Sequence, residues 1–424
     1  MIRFLFKGLL RDRSRSLFPF VVITAGVFLT VALHGYIQGV MLNLIRSSAN
    51  LRYGHVEVMT RAYAKDVAQL PNELALTGVG ALAAELKAAH PDIDWLARID
   101  FGGLLDVPDD KGETRIQAPA AGLAVDLFSP GSPEPGLLDL AKIIVRGRLP
   151  RAAGEILISD DLARKLGLPI GGKATLIGTT MNGSLSMANF TVAGTLRFGV
   201  TAMDKTGLIA DLADVRRALD MEDAAGAVLG LFRDGRYTQE RADAVERAFQ
   251  AAHAGRTADF DPVMQTLREQ PGMAMMFDRM SDVTSVILFI FVLAMSLVMW
   301  NAGLVGTLRR YGEFGVRLAI GEDKGRVYRS LIAESLIIGV LGSIAGTALG
   351  LALSYFLQVH GIDMHALLKS VNMVIQTVIR SKITPAAFYI GFIPGLFASL
   401  IGTAIAGRAV YKRQTARLFK ELES

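Results

Sequence analysis

The chain has 424 residues, a formal net charge of +5, 51 % hydrophobic residues and only 20 % charged ones, with a mean hydropathy of +0.37. That balance excludes a globally disordered chain, which needs low hydrophobicity and high net charge. The absence of cysteine excludes a disulfide scaffold, cysteine-ligated zinc, an iron–sulfur cluster and a thiol nucleophile. The six histidines form neither HExxH nor a tight cluster.

At the start, Ile2, Leu5, Phe6 and Leu9 follow i, i+3, i+4, i+7, while Arg3, Lys7 and Arg11 fall on another face. The pattern predicts an interfacial amphipathic helix over residues 1–16, lying along the inner leaflet; the plainer reading is a basic flank. The uncharged run from Ser16 to Ile45 then predicts a first span, 17–42. A signal peptide would share the basic flank, but the apolar run is long for one and no A-x-A site follows, so a retained helix is expected. Thr30, His34 and Gln38 form a polar stripe on it. Polar groups in lipid are costly and face protein or water. Interhelical hydrogen bonding is the preferred reading; lining of a path or a proton-sensitive contact is the alternative.

Residues 43–282 read as a mixed α/β domain. Gly54–Met59 alternates like a strand, and Thr77–His90 has helical spacing before Pro91. Glu155–Ile158 is a short apolar strand, after which Ser159 and Asp160 can cap a helix through Leu166, with Gly167 past its end. Lys173–Ile177 and Asn189–Ala193 read as strands. Asp211 caps a helix over Val215–Leu219, and Tyr237–His253 is another helix. Two lobes are expected, one a β-rich lobe at about 110–195 and the other built from the flanking pieces. Met273, Met276 and Met280 share one helical face, read as packing in preference to a cargo surface.

Three further uncharged runs, Val283–Leu308, Ser335–Val359 and Ile383–Gly407, predict spans at 283–308, 331–358 and 385–407. They leave a cytoplasmic loop at 309–330, a short outer loop at 359–384 and a tail at 408–424. The fold class is therefore an α-helical membrane protein with four transmembrane helices plus a large mixed α/β extracytoplasmic domain. Gly342, Gly346 and Gly350 recur every four residues in the third span, as do Gly391, Gly395, Ser399 and Thr403 in the fourth. Such small stripes let helices pack closely in lipid.

Charge sets the direction. Residues 1–16, 308–330 and 407–424 hold 16 basic and 6 acidic residues, whereas 43–282 holds 26 basic and 32 acidic. Short loops rich in Lys and Arg stay in the cytoplasm, so both termini are expected inside and 43–282 outside. A basic inner rim suits anionic membrane lipids, and nucleic acid is not needed to explain it.

Catalytic motifs are scarce. Gly167–Ala174 nearly fits GxxxxGK[ST], but Ala174 stands where the Mg²⁺-binding hydroxyl belongs, so a turn before a strand is expected. Gly78-Val-Gly80 is an equally weak dinucleotide signal, and no GxSxG nucleophile elbow occurs. The chain is therefore not expected to be an enzyme, and no cofactor or metal is expected in it.

The segment after the second span is the most specific. It reads Arg309-Arg-Tyr-Gly-Glu-Phe-Gly-Val-Arg-Leu-Ala-Ile-Gly321, with Glu334 further on. Here the sequence resembles the FtsX-type permeases of ABC transporters, which include macrolide-exporter (MacB-type) and lipoprotein-releasing permeases. Glu313, Gly315, Val316, Ala319 and Gly321 match their RRxEIGVxxAxG pattern, and Glu334 fits a later Glu. Gly147-Arg-Leu149, Gly154-Glu-Ile-Leu-Ile-Ser159, Leu162-Ala163, Lys165–Leu168 and Phe190–Gly194 resemble segments of the family's outer domain. Among the departures, Gly325 interrupts the loop helix and the tail lacks the Pro of YPARRA.

The resemblance implies an inner-membrane permease paired with a second permease, the same or homologous, above an ABC ATPase dimer that holds ATP and Mg. The loop after the second span would be the coupling element, with Glu313, Arg317, Glu322 and Arg326 contacting the ATPase. Stiff helices would pass the motion outward, exporting or extracting an amphiphile such as a lipoprotein, lipid, peptide or drug. A periplasmic adaptor or lipoprotein cargo would meet the outer domain. The alternatives are a mechanical regulator of a cell-wall hydrolase and a peptide-sensing subunit.

Overall fold

A computed structural model describes residues 13–109, 111–199, 201–309, 316–317, 319–363 and 378–412. The chain divides into two compact units, one carrying residues 44–276 and the other the long helices that flank them in sequence.

The first unit is built on one ten-stranded sheet. Its strands are β1 (Val56–Thr60), β2 (Ile93–Pro108), β3 (Thr114–Val125), β4 (Ile144–Gly147), β5 (Glu155–Ser159), β6 (Lys173–Thr179), β7 (Leu185–Leu196), β8 (Gly207–Asp211), β9 (Ala227–Phe232) and β10 (Pro262–Thr266). The order is β10-β1-β9-β2-β3-β8-β5-β7-β4, with β6 bridging β2 and β7. Six strands therefore close a cycle, β2-β3-β8-β5-β7-β6 and back to β2, and β9, β1 and β10 extend from it. The 16-residue β2 serves both parts. Ile93–Arg98 pairs with β9, while Ile99–Pro108 pairs with β3 and, over Leu104–Asp106, with β6. Two pairs, β3 with β8 and β5 with β7, are parallel.

Alternation along the strands sorts side chains into two cores. On β5, Ile156 and Ile158 join the larger core with Phe101, Leu176 and Val192, while Leu157 turns the other way to Leu123, Leu196 and Ile209. Each such fully buried aliphatic contributes about 1.5–3 kcal/mol. Helices α1 (Arg13–Ser48), α2 (Val79–Ala89), α3 (Asp160–Leu166), α4 (Leu212–Ala218) and α5 (Gln239–Ala252) occur in this stretch, α1 lying mainly in the second unit. Ser159 caps α3 by accepting from the Leu162 N–H at 3.0 Å, and Gly167 ends it at φ +61°. Asp211 caps α4 by accepting from the Ala213 N–H at 3.0 Å. The near-Walker segment is the expected turn: Gly167 closes α3 and β6 starts at Lys173.

The second unit holds α1, α6 (Met273–Arg309), α7 (Lys324–His360) and α8 (Phe392–Lys412). Four described segments are long and apolar enough to cross a membrane: Leu17–Tyr53, Met273–Val298, Lys324–His360 and Pro385–Ala406. A helix of 37 residues is about 55 Å long, well beyond a bilayer's hydrocarbon core of about 30 Å. Residues 1–12 of the expected interfacial helix and residues 413–424 of the tail lie outside the described residues.

One helical detail differs from the sequence reading. Helix α7 begins at Lys324, ahead of the expected 331, because Asp323 caps it by accepting from the Gly325 N–H at 3.1 Å. Gly325 thus sits in the first turn and does not interrupt the helix. The three methionines of the expected face all lie on α6. Met273 is buried, Met276 half-buried, and the side chain of Met280 lies outside the described residues.

Candidate functional site

The small residues of α7 and α8 are where helices approach most closely. A Cβ on Gly342 would lie 2.8 Å from Ile23 Cγ2, on Gly346 2.6 Å from the Thr24 carbonyl, and on Gly350 2.7 Å from Val31 Cβ. All three face α1. Gly391 would meet Val27 at 2.6 Å and Thr347 Oγ1 at 3.0 Å, and Gly395 would collide with Ser343. The five glycines are therefore the seams along which α7 meets α1, and α8 meets α1 and α7. Ile23, Val27, Val31, Met295, Ile338, Ile390 and Ala398 form the core between them.

The polar stripe divides. His34 Nε2 lies 3.1 Å from Thr384 Oγ1, ahead of α8, and is the interhelical contact of the three. Thr30 does not reach across: its hydroxyl donates at 2.8 Å to the Gly26 carbonyl one turn back. A hydroxyl in a helix finds its own i−4 carbonyl in lipid more cheaply than a distant partner. Gln38 is half-buried. Ser343, Thr347 and Ser354, unmarked by the sequence reading, are buried with hydroxyls that have no hydrogen-bond partner among the described residues.

The expected coupling residues fall on a helix–turn–helix. Glu313 lies outside the described residues. The Ile320 N–H donates to the Val316 carbonyl at 3.0 Å, Gly321 turns the chain at φ +92°, and the Glu322 N–H donates to the Arg317 carbonyl at 3.0 Å. Arg317 and Glu322 are thereby brought together, both half-buried, while Arg326 is exposed on the first turn of α7. Sequence reasoning missed Val316 and Ile320. They are one helical turn apart and 60 % and 80 % exposed, an apolar knob beside basic residues. Their i, i+4 spacing was the available signal.

A second cluster, also missed, lies where the chain leaves α1. A π-helical turn, Ala49–Tyr53, leads to β1. It is pinned by Asn50 Nδ2, donating to the Leu137 carbonyl at 3.2 Å, and by Arg98 Nη1, donating to the Leu51 carbonyl at 3.0 Å. Arg98 also makes a bidentate pair with Glu134, at 2.8 and 2.6 Å. Arg52, Tyr53, Glu57, Tyr63, Arg98 and Asp100 line a small cavity there with apolar neighbours. Burial first, and then the neighbouring Asp100, push the Glu57 carboxyl well above its ordinary range; burial also raises Asp100. The Glu57 Oε2 is buried without a partner. Next along the chain, His55 Nδ1 accepts the Phe232 N–H at 2.9 Å, and burial drives its pKa down to about 4. Among the described residues no group of three or more His, Asp or Glu converges as a metal site.

The chain thus combines four helices long and apolar enough to cross a membrane, three of them close-packed through glycine, with a large mixed α/β unit. Residues 285–415 match the FtsX-like permease C-terminal family. Over 289 residues, 62 % of this chain, it is 25 % identical to the macrolide export ATP-binding/permease protein MacB of Hyphomonas neptunium. Over 58 % of the chain it is 21 % identical to a probable export ATP-binding/permease protein MacB of Pseudomonas entomophila. The chain spans about two fifths of the length of the curated relatives it matches. The crystal structure of the periplasmic region of MacB from Actinobacillus actinomycetemcomitans aligns with 50 % of this chain and 89 % of that one, at 11 % identity and a TM-score of 0.33.

Proposed function

We propose that the chain is the permease subunit of an ABC transporter, coupling ATP hydrolysis by a separate ATPase to movement of the 43–282 domain. The cargo is an amphiphile: a lipoprotein, lipid, peptide or drug. The single observation that carries this reading is the match of residues 285–415 to the FtsX-like permease family. Names of the relatives that join ATP-binding and permease functions support it. In this reading the protein sits in the inner membrane with both termini cytoplasmic, paired with a second permease above an ATPase dimer that binds ATP and Mg. Lipids contact the four spans, and an adaptor or lipoprotein meets the outer domain.

The 309–330 segment is the coupling element. Val316 and Ile320 supply an apolar knob, and Glu313, Arg317, Glu322 and Arg326 supply the charges around it. ATP shifts the permease only by binding one of its conformations better than the other. Glycine-lined seams allow the helices to transmit that shift as stiff bodies.

Purification of the tagged chain from its native membrane in mild detergent, with mass spectrometry of what is retained, tests the reading. A stoichiometric ATPase is the expected result. Retention of a wall hydrolase or a sensor kinase with no ATPase would overturn it.

A further inference from the structure

Glu57 and Asp100 are acids on one face of the sheet. Register sets Glu57 of β1 opposite Leu229 of β9, and Asp100 of β2 opposite Leu123 of β3, and all four line the same cavity. Glu57 is 5 % exposed and its Oε2 has no hydrogen-bond partner. The nearest buried cation, Arg98, is already committed to Glu134 and to the Leu51 carbonyl. The cavity has room for a water molecule and not for an organic counter-ion, and its remaining walls are apolar: Val67, Ala227 and Leu229. No third ligand converges for a metal among the described residues. Two acids in one low-dielectric pocket do not both ionise.

We propose that Glu57 keeps its proton in the folded chain beside Asp100, and that loss of this proton opens a latch on the turn that follows α1. Ionised Glu57 then needs a cation, and of the two arginines that line the cavity Arg98 is already paired with Glu134, which leaves Arg52. That guanidinium now lies over the Tyr53 ring, 5.4 Å from its centroid, on the exposed side of the cavity. Drawing it inward rearranges the Ala49–Tyr53 turn. The groups facing Glu57 are Arg52 on the turn, Tyr63 after β1, Arg98 with its partner Glu134, Asp100 on β2, and Gln265 across the strand pair on β10. Burial raises both acids and the Tyr63 phenol, and the Asp100 charge raises Glu57 further. The inference is independent of the transport reading, since neither ATPase nor cargo enters its test.

The test is amide hydrogen exchange over residues 51–60 in the detergent-purified full chain from pH 5 to 8, corrected for intrinsic rate, for wild type and Glu57→Gln. The titration of His55 is common to both proteins and cancels in their ratio. A carboxyl raised on folding favours the native state at low pH, and this contribution fades as pH climbs from the ordinary carboxylate range to the raised value. Wild-type exchange relative to Glu57→Gln should therefore grow about tenfold per pH unit until that value is passed. In Asp100→Asn, which lacks the neighbouring charge, the growth should stop at lower pH. A ratio that stays flat from pH 5 to 8 overturns the proposal. If Glu57→Gln does not fold, Asp100→Asn decides: an earlier plateau supports the latch, and a wild-type profile overturns it.

Discussion

Arg98 and Glu134 form a bidentate ion pair whose side chains are 4 % and 1 % exposed, and the same arginine holds the Leu51 carbonyl just beyond α1. One guanidinium thus ties the π-helical turn to β2 and to the short helical turn at Glu134–Leu137. Removing either partner strands a buried charge, which costs about 3–5 kcal/mol. Arg98→Met and Glu134→Gln should each destabilise the sheet unit on that scale in denaturant titrations. The double variant Arg98→Met/Glu134→Gln should lose less than the sum, with a coupling of roughly 1–3 kcal/mol. Additive losses would mean that the pair is not coupled.

His55 sets the acid limit of the same region. It is 3 % exposed, stacks within 4.8 Å of the Phe232 ring and uses Nδ1 to accept a backbone N–H, so the folded state wants it neutral. Burial is the main cause of its lowered pKa of about 4; Asp234 opposes the shift, and Arg241 and Arg46 add to it. A base depressed on folding stabilises the fold above its unfolded pKa, near 6.5, and that stability is lost as pH falls toward 4. The loss amounts to about 3 kcal/mol over that window. His55→Gln should flatten stability against pH between 4 and 6.5, at some cost at neutral pH. An unchanged acid limb would show that another group dominates it.

The legible parts of the sequence were those where one local rule decides. Ser159 and Asp211 cap helices as read, because a short oxygen-bearing side chain before an apolar helix has one efficient use. Gly167 ends α3 for a similar local reason. Four long apolar runs needed only length and hydropathy. The longest strands were not legible. In β2, Asp94, Arg98 and Asp100 break the apolar alternation, and each is tolerated through tertiary surroundings: Arg233 for Asp94, Glu134 for Arg98, the cavity for Asp100. Burial of Glu57 was hidden likewise. Val56-Glu-Val reads as a strand with a wet face, but both faces are covered, one of them by the turn after α1. In the second unit, glycine spacing announced close packing, whereas Thr30 was misjudged because a hydroxyl's bond to its own helix leaves no mark on spacing.

Close packing of α7 on α1 should be intolerant of added volume at its centre. A Cβ on Gly346 already falls within 2.6–2.9 Å of the Thr24 carbonyl and the Val27 side chain, and backbone cannot yield as a flexible side chain can. Gly346→Leu should cost about 1–3 kcal/mol or prevent the two helices from docking. Ile344→Ala, on the same helix but 53 % exposed, serves as the control. Thermal unfolding in detergent should separate the two clearly. Equal behaviour would show that the seam is loose.

The loop between α6 and α7 offers the sharpest test of coupling. Ile320 is 80 % exposed on the helix that ends at Gly321, and Val316 lies one turn earlier at 60 %. Neither contributes to either unit's core, so altering them leaves folding intact, and their apolar area gains free energy only when a partner covers it. Truncating a well-packed contact residue typically costs a protein interface about 1–4 kcal/mol. Ile320→Asp should therefore weaken retention of the ATPase roughly tenfold or more. Glu313→Lys, by contrast, should spare retention and abolish stimulation of ATP hydrolysis, because charge sets orientation more than affinity. Arg326→Glu should resemble Glu313→Lys, since Arg326 stands exposed on the first turn of α7 beyond the same bend. Co-purification and ATPase rates on the reconstituted complex read the two effects separately. Full retention and full stimulation in Ile320→Asp and Glu313→Lys alike would remove this loop from the coupling interface.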